Sequence, residues 1–173
     1  MMKLLVVILA LFADFYAVHA VVKVTGDLAE EKDDAESRAV CPSGHVIKTC
    51  SCGCESRCDG AIFEDDQTCL IHMSHDKTAT KAVAECIAES CGDDWKTVQS
   101  PYSVRPSVNC PDGFEMTDCN IFSPWKHEAN LVNVFTTKSQ VQSGGKTVWK
   151  CQSDADCPGG RCMVEARCHK ESA

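Results

Sequence analysis

The ten-residue stretch CPSGHVIKTC at residues 41–50 recurs, with changes, as CPDGFEMTDC at residues 110–119. In both copies proline follows the first cysteine, glycine comes two residues later, and a second cysteine ends the stretch. Proline fixes φ and glycine accepts positive φ, so the start of each copy predicts a turn. The residues that follow are short and alternating, which predicts a strand. The chain is therefore expected to contain an internal repeat of two related modules.

Cysteine usage and the N-terminus indicate an exported protein. The chain has fourteen cysteines, an even number, and all of them follow residue 40. Lys3 precedes the apolar run LLVVILALF, and Val18-His19-Ala20 places small residues where signal peptidase cuts. Residues 1–20 are therefore expected to be a signal peptide, since a membrane anchor would need about 20 apolar residues. No other segment predicts a membrane span, and an exported cysteine-rich chain is expected to form disulfides.

The charge distribution bears on the class of partner. The formal net charge is −8, and acidic residues are concentrated in GDLAEEKDDAESR at residues 26–38. No basic stripe is present, which argues against nucleic acid as a partner. Residues 21–40 are expected to form an acidic leader or propeptide, either disordered or a short helix. The alternative is that this run binds cations or a basic partner.

Composition places the boundaries of the two modules. The first cysteine-rich β module is expected at residues 41–91 and the second at residues 110–168, followed by a tail at 169–173. The segment GDDWKTVQSPYSVRPSVN at 92–109 contains two prolines and several turn formers, which predicts a linker. The segment TKAVAECIAESC at 80–91 fits either a helix or a strand.

The first module resembles a known family. The stretch CPSGHVIKTCSCG resembles the opening of the cysteine-rich domain of resistin and the resistin-like molecules. It is also similar to the modules of the C-terminal Cys-His-rich domain of proprotein convertase subtilisin/kexin type 9. Their shared frame corresponds here to Cys41, Cys50, Thr68-Cys69 and Ala84-Glu85-Cys86, and in the second module to Cys110, Cys119, Cys151 and Ala166-Arg167-Cys168.

The resemblance implies an all-β fold of two small disulfide-stapled β-sandwich modules of jelly-roll type. It also implies nested disulfides that pair Cys41 with Cys86, Cys50 with Cys69, Cys110 with Cys168, and Cys119 with Cys151. Cys157 and Cys162 would then close a small loop of their own. The pairing of Cys52, Cys54, Cys58 and Cys91 stays open. The loop CQSDADCPGGRC resembles loops of small whey-acidic-protein-type inhibitors.

No residue pattern in the chain predicts catalysis, a metal site or another cofactor. The cysteine-dense run from Cys50 to Cys58 has a spacing that could chelate zinc or copper, but an oxidising compartment favours disulfides. Asp154 and Asp156 lack the further oxygen ligands of a calcium loop, so turn formation is the expected role. His72 is expected to be an exposed loop residue. No nucleophile elbow and no lone cysteine with a histidine partner is present.

Loops on a stapled sandwich are the expected binding sites. The interaction candidates are Trp95, the run Trp125-Lys126-His127, and the loop at 154–160 with Asp154 and Asp156. Trp125 is expected to be either an interface anchor or a core residue of the second module, which has few aromatic residues.

The sequence as a whole favours a secreted, extracellular, non-enzymatic binding or extracellular-matrix protein, monomeric or weakly oligomeric. Its partner would be an extracellular protein or a matrix component. The alternative is a secreted protease inhibitor or toxin-like effector that acts through the C-terminal cysteine-rich loop.

Overall fold

The computed structural model describes residues 21–28, 35–53, 58–73, 80–88, 94–124, 131 and 134–170. These residues form twelve strands, one short 3-10 turn and the connections between them. The all-β fold class is therefore confirmed. In this described part of the chain, no helix has the length and apolar character to cross a membrane. The expected signal peptide at residues 1–20 lies outside the described residues.

Residues 21–88, here called the first half, form two three-stranded arrangements that face each other. One has the order β1-β6-β3 and the other the order β2-β5-β4. Alternation along β6 places Ala82, Ala84 and Cys86 in the core between them, which explains why residues 81–88 form a strand and not a helix. The strands are β1 (Val22–Thr25), β2 (Glu36–Val40), β3 (His45–Gly53), β4 (Cys58–Phe63), β5 (Thr68–Met73) and β6 (Lys81–Ala88).

Residues 94–170, the second half, have the matching strand connectivity. Their arrangements have the orders β7-β12-β9 and β8-β11-β10, so each strand corresponds in position to one in the first half. A core of apolar residues and disulfides lies between them, including Met116, Val164 and Ala166. The strands are β7 (Trp95–Gln99), β8 (Ser107–Asn109), β9 (Phe114–Phe122), β10 (Thr136–Ser143), β11 (Lys146–Ser153) and β12 (Met163–Lys170).

Disulfides cross each core between the two facing arrangements. The structure joins Cys41 to Cys86 and Cys50 to Cys69 in the first half. It joins Cys110 to Cys168 and Cys119 to Cys151 in the second half, and Cys157 to Cys162 in a short loop. These are the pairs that the resemblance implies. A sixth disulfide, left open by the sequence, joins Cys52 to Cys58, while Cys54 and Cys91 lie outside the described residues.

The described part of the acidic leader belongs to the first half and is not a disordered or helical appendage. Strand β1 pairs with β6, and Val22 and Val24 pack on the core. Strand β2 pairs with β5. The Ser37 hydroxyl connects β2 to β6 and to the segment that follows β1, because it accepts from the Ala82 N–H (2.9 Å) and donates to the Asp27 carbonyl (2.6 Å). Acidic composition concealed these two strands in the sequence.

The stretch predicted as a linker also contains strands. Strand β7 pairs with β12 and strand β8 pairs with β11, so residues 95–99 and 107–109 are edge strands of the second half. The two prolines at 101 and 106 lie between these strands and therefore cost the sheets no hydrogen bond. Part of the predicted tail is likewise structured, because His169 and Lys170 end β12.

In the part of the chain that the structure describes, the backbones of the two halves pair at one position. Strand β4 of the first half and β9 of the second half pair through Gly60 and Phe122, which joins two sheets into a six-stranded sheet of order β2-β5-β4-β9-β12-β7. Gly60 has a φ of 120°, and a Cβ placed there would lie 2.6 Å from the Ile121 carbonyl oxygen. Glycine is needed at this position because the backbones approach so closely.

Candidate binding surface

A buried polar joint fixes the orientation of the two halves. Strand β12 is buried on both faces from Met163 to Cys168, because its second face, with Glu165 and Arg167, packs against the first half. Both charged side chains are 0% exposed. Buried charges persist in proteins when they are paired and hydrogen-bonded. The contacts of these two residues therefore decide whether the joint is stable.

Arg167 connects both halves through its guanidinium group. Its Nε donates to the Ile47 carbonyl oxygen (3.1 Å), and its Nη1 donates to Asp66 (2.6 Å) and to the Thr97 hydroxyl (2.7 Å). The group also lies 5.2 Å from the ring centre of Trp95 and 5.8 Å from that of Phe63, which places the cation near two aromatic faces.

Two carboxylates of the second half accept backbone hydrogen bonds from the first half. Glu165 accepts from the Phe63 N–H (2.6 Å) and from the Gln99 side chain (2.7 Å). Asp118 accepts from the Cys50 N–H (2.7 Å). Burial raises the pKa of Glu165 to about 7. The Phe63 N–H, the Gln99 side chain and Arg167 act in the opposite direction and lower it.

Burial raises the pKa of Asp118 as well, and the Cys50 N–H opposes that rise. His72 also belongs to the joint. It is buried, its ring lies 4.6 Å from that of Phe122, and its Nε2 lies 3.3 Å from the Glu36 carboxylate. The expectation that His72 is an exposed loop residue is therefore wrong, because the second half covers the end of β5.

A groove opens beside the joint where the two halves meet. It has a volume of about 270 Å³ and a mainly apolar lining. Polar groups at its wall come from Ser51, Asn120 and Thr136. Phe135, also in the lining, is 63% exposed, the largest exposed fraction among the large apolar side chains that the structure describes. The apolar lining includes Cys52, Ala61, Ile121, Leu131, Val134 and Phe135.

The C-terminal disulfide loop supports this groove. Leu131 and Val134 are buried against the Cys157–Cys162 disulfide and Ile121. Asp154 fixes the start of β10, because its carboxylate accepts from the Phe135 N–H (2.8 Å) while its own N–H donates to the Phe135 carbonyl (2.9 Å). Asp154 therefore acts locally to hold Phe135 at the rim of the groove.

The loop itself is anchored on its other side by the segment at 101–106. The Cys157 N–H donates to the Val104 carbonyl (2.7 Å), and the Ser103 N–H donates to the Cys162 carbonyl (2.9 Å). Pro158–Gly160 form a 3-10 turn, and Gly159 has a φ of 61°. Asp156 forms an exposed ion pair with Arg105. The loop is compact and not extended.

The interaction candidates from the sequence have different locations. Trp95 is half-buried on β7, with its ring 4.4 Å from that of His169 and close to Arg167. Asp154 and Asp156 are exposed and flank the disulfide loop. Trp125, Lys126 and His127 lie outside the described residues. Within the described residues, no group of three or more His, Cys, Asp or Glu side chains is arranged to hold a metal ion.

Sequence reasoning missed Phe135, Glu165 and Arg167. Phe135 is one of several apolar residues between Cys119 and Cys151, and nothing in its spacing distinguishes an exposed side chain from a core one. The stretch RCMVEARC at 161–168 alternates as a strand does, and β12 covers most of it, but its charged side chains predict a solvent-exposed face. That face is buried because the first half covers it, which the pattern of one strand cannot reveal.

Comparison of the chain with protein-family models and with curated proteins gives no match.

Proposed function

We propose that this chain is an exported, non-enzymatic binding protein whose groove between the halves receives an apolar side chain of an extracellular protein. We propose further that the chain consists of two repeated resistin-like modules, and that a signal peptide is removed by cleavage after Ala20. Six disulfides in the described part of the chain support export, because such cross-links form and persist in oxidising compartments. N-terminal sequencing of the secreted protein should begin at Val21.

The observation that carries the proposal is the exposed Phe135 at the rim of an apolar groove. Pockets for drug-sized ligands occupy about 300–1,000 Å³, so a groove of about 270 Å³ better fits one large side chain than a bulky ligand. Aromatic residues dominate the energetics of protein interfaces, and Phe135 projects from a rigid support made by Asp154 and the Cys157–Cys162 disulfide. A preorganised anchor of this kind loses little entropy on binding.

The first experiment tests the chemistry of the groove directly. N-acetyl-phenylalanine amide and N-acetyl-leucine amide are titrated into the isotope-labelled protein, and amide chemical shifts are followed. We expect saturable shifts at Val134, Phe135, Thr136 and Ile121, with weaker effects from N-acetyl-glycine amide. Absence of shifts at these positions, or shifts distributed elsewhere, would refute the groove as the binding site.

The second experiment identifies the partner and ties it to the groove. The secreted protein captures partners from its native extracellular fluid, and the affinity for a captured protein is compared between wild type and Phe135→Ser. Loss of a hot-spot aromatic costs about 2 kcal/mol or more, so we expect at least a roughly thirtyfold weaker Kd. Val40→Ser is the matched control, because Val40 is 54% exposed on β2 and does not line the groove.

The protease-inhibitor alternative has less support. An inhibitory loop would present an extended, exposed backbone to a protease, whereas Pro158–Gly160 form a 3-10 turn, and the flanking Cys157 and Cys162 hydrogen-bond to Val104 and Ser103. A panel of serine proteases assayed with micromolar protein is expected to show no slowing. Tight inhibition of any of them would favour that alternative over the groove.

A further inference from the structure

Strand β10 lies at the end of its sheet, and among the described residues no strand pairs with its outer side. The sheet order is β10-β11-β8, and β10 pairs with β11 along all eight of its residues without a bulge. The side chains of Thr137, Lys138, Gln140, Gln142 and Ser143 are exposed. A long, regular and exposed edge is a template for pairing with another strand, and natural proteins usually protect such edges.

The hairpin geometry defines which backbone groups are available. Gly144 and Gly145 both have positive φ, 59° and 79°, as a two-residue type I′ turn requires. Ser143 and Lys146 flank this turn as a hydrogen-bonded pair, so hydrogen bonds to β11 alternate along β10. The N–H and C=O groups of Lys138, Gln140 and Gln142 therefore point away from β11. Within the described residues, no backbone hydrogen bond from outside the hairpin meets them.

The other long edge strand, β3, has its outer side covered. The outer side of β3 meets polar side chains of the second half at three backbone groups: Asp118 accepts from Cys50, Arg167 donates to Ile47, and Thr117 donates to Lys48 (3.2 Å). These contacts satisfy the edge and block strand pairing. Lys138 is one protective charge near the start of β10, but the segment from Ser139 to Ser143 contains no charge, proline or bulge.

Charge indicates what kind of strand would pair there. The hairpin at 136–153 contains Lys138, Lys146 and Lys150 and no carboxylate, although the chain as a whole has a net charge of −8. Lys146 forms an exposed ion pair with Asp112, and Lys138 donates to the Thr117 carbonyl (2.9 Å). Asp118 also lies close enough to Lys138 to interact with it, and it accepts from the Cys50 N–H; the charges on the hairpin itself are those of its three lysines. Complementary charge favours an acidic segment over a basic one.

We infer that the free edge of β10 is a strand-addition site for an extended, acidic segment of a partner protein. Backbone hydrogen bonds to Lys138, Gln140 and Gln142 would provide the pairing, as in other cases of β-augmentation. The lysines would select for acidic side chains. The inference does not depend on the Phe135 groove, since it rests on backbone groups and charges of the hairpin.

The test uses the full secreted protein and a defined probe. A fluorescein-labelled eight-residue peptide of alternating glutamate and valine is titrated by fluorescence anisotropy, with a lysine–valine peptide as the charge control. We expect saturable binding of the acidic peptide and none of the basic one. We also expect that N-methylation of alternate residues of the acidic peptide abolishes binding, because it removes the donors that would pair with β10.

Variants of the protein locate the site. Gln140→Pro removes an outward N–H without removing a hydrogen bond to β11, and Gln140→Ala keeps that N–H. Loss of one or two edge hydrogen bonds predicts about tenfold weaker binding for Gln140→Pro, and less than a roughly twofold change for Gln140→Ala. Lys138→Glu, which leaves the backbone unchanged, should also weaken binding of the acidic peptide. Unchanged thermal unfolding and an intact Cys119–Cys151 disulfide show that each variant is folded.

Three results would overturn the inference. The first is no binding of the acidic peptide up to millimolar concentration. The second is that the N-methylated peptide binds as tightly as the unmodified one, or that the Lys138→Glu variant binds the acidic peptide as tightly as wild type does. Either result would place the contact elsewhere. The third is sedimentation showing that wild type self-associates and that Gln140→Pro abolishes it, because the edge would then be occupied by a second copy of this chain.

Discussion

Arg167 is a charged residue that is fully buried. Its side chain is 0% exposed, yet it donates to Ile47 and Asp66 of the first half and to Thr97 of the second. Its ion-pair partner Asp66 is 72% exposed, so solvent partly screens the attraction between the two charges. Removing the guanidinium is still costly, since the Ile47 carbonyl and the Thr97 hydroxyl would lose their donor inside the protein. Arg167 therefore determines whether the two halves stay docked.

Replacement of Arg167 by Met should destabilise the protein strongly. The substitution leaves the Ile47 carbonyl and the Thr97 hydroxyl without their donor, at about 1–3 kcal/mol for each unsatisfied group, so we expect a loss of about 2–5 kcal/mol in the free energy of unfolding. Urea unfolding under non-reducing conditions measures the change. Arg105→Met is the matched control and should change the free energy of unfolding far less, because the Arg105–Asp156 pair is exposed. Equal effects of the two substitutions would contradict the role given to Arg167.

Gly60 tests the contact between the backbones of the two halves. A Cβ at this position would lie 2.6 Å from the Ile121 carbonyl oxygen and 2.8 Å from the Phe122 Cα, and both are backbone atoms that cannot move aside easily. Gly113 also has a positive φ, but a Cβ there would meet nothing within 4 Å. Gly113→Ala should cost about 1–2 kcal/mol from backbone strain, and Gly60→Ala should cost clearly more. Thermal unfolding of both variants measures the difference, and equal losses would argue against close packing at Gly60.

Glu165 should make the stability of the protein depend on pH in an unusual direction. Its pKa is raised from 4.5 to about 7 by burial, so the folded state binds its proton more tightly than the unfolded state does. The resulting stabilisation is complete below pH 4.5 and is lost as the pH rises through about 7. Asp118, whose pKa is also raised, contributes in the same direction. Arg167 and the Phe63 and Gln99 donors oppose the rise for Glu165.

The measurement compares wild type with Glu165→Gln across this range. We expect the difference in unfolding free energy between the two proteins to change by on the order of 2 kcal/mol between pH 8 and pH 5, in favour of wild type at the lower pH. Taking the difference cancels the contributions of carboxylates common to both. A difference that stays constant with pH would mean that Glu165 titrates normally.

At the scale of elements, the clearest result is that β1 belongs to the first half. Val22 and Val24 face the core, while Lys23 and Thr25 are exposed, which is the alternation of a strand with one buried face. This strand is only four residues long and follows the predicted signal peptide. The acidic composition of residues 21–40 therefore outweighed its alternation in the sequence-based prediction. If β1 were a propeptide strand removed on maturation, β6 would lose a hydrogen-bonding neighbour on one side.

Substitution within β1 separates these possibilities. Val24→Ser removes partly buried apolar surface, and we expect it to lower the free energy of unfolding by about 1–2 kcal/mol. Lys23→Ser changes the neighbouring exposed residue and should stay within about 0.5 kcal/mol of wild type. Chemical denaturation of the two purified variants and of wild type provides both values. Identical stability for the two variants would show that the mature protein does not use β1.

The sequence predicted elements well where turn chemistry and alternation agree. The Cys-Pro-x-Gly turns, strands β3 and β9, and the closing strand β12 all follow from local pattern. Strands β1, β2, β7 and β8 were not predicted, because each is short and is held by a partner strand distant in sequence. The joint and the groove depend on how the two halves pack, and no single-strand pattern encodes that packing. The exposed Phe135 could not be separated from core residues for the same reason.

At the scale of the whole molecule, covalent links hold each half and noncovalent contacts hold the two together. The disulfides among the described residues all lie within one half or the other. Closing a loop of 45 residues between Cys41 and Cys86 removes entropy from the unfolded chain worth about 4 kcal/mol in the chain-entropy model. Loops of this size make small modules stable despite their modest apolar cores. The groove and the β10 edge therefore lie on halves that disulfides hold rigid.

Peptide mapping of the purified protein under non-reducing conditions tests this organisation most directly. The protein is digested with its disulfides intact, and the linked peptides are identified by mass spectrometry. We predict linked peptides for Cys41–Cys86, Cys50–Cys69, Cys110–Cys168 and Cys119–Cys151, so that each of these links stays within one half. A disulfide from any of these cysteines to the other half, or recovery of these cysteines as free thiols, would contradict two separately stapled halves docked through Glu165 and Arg167.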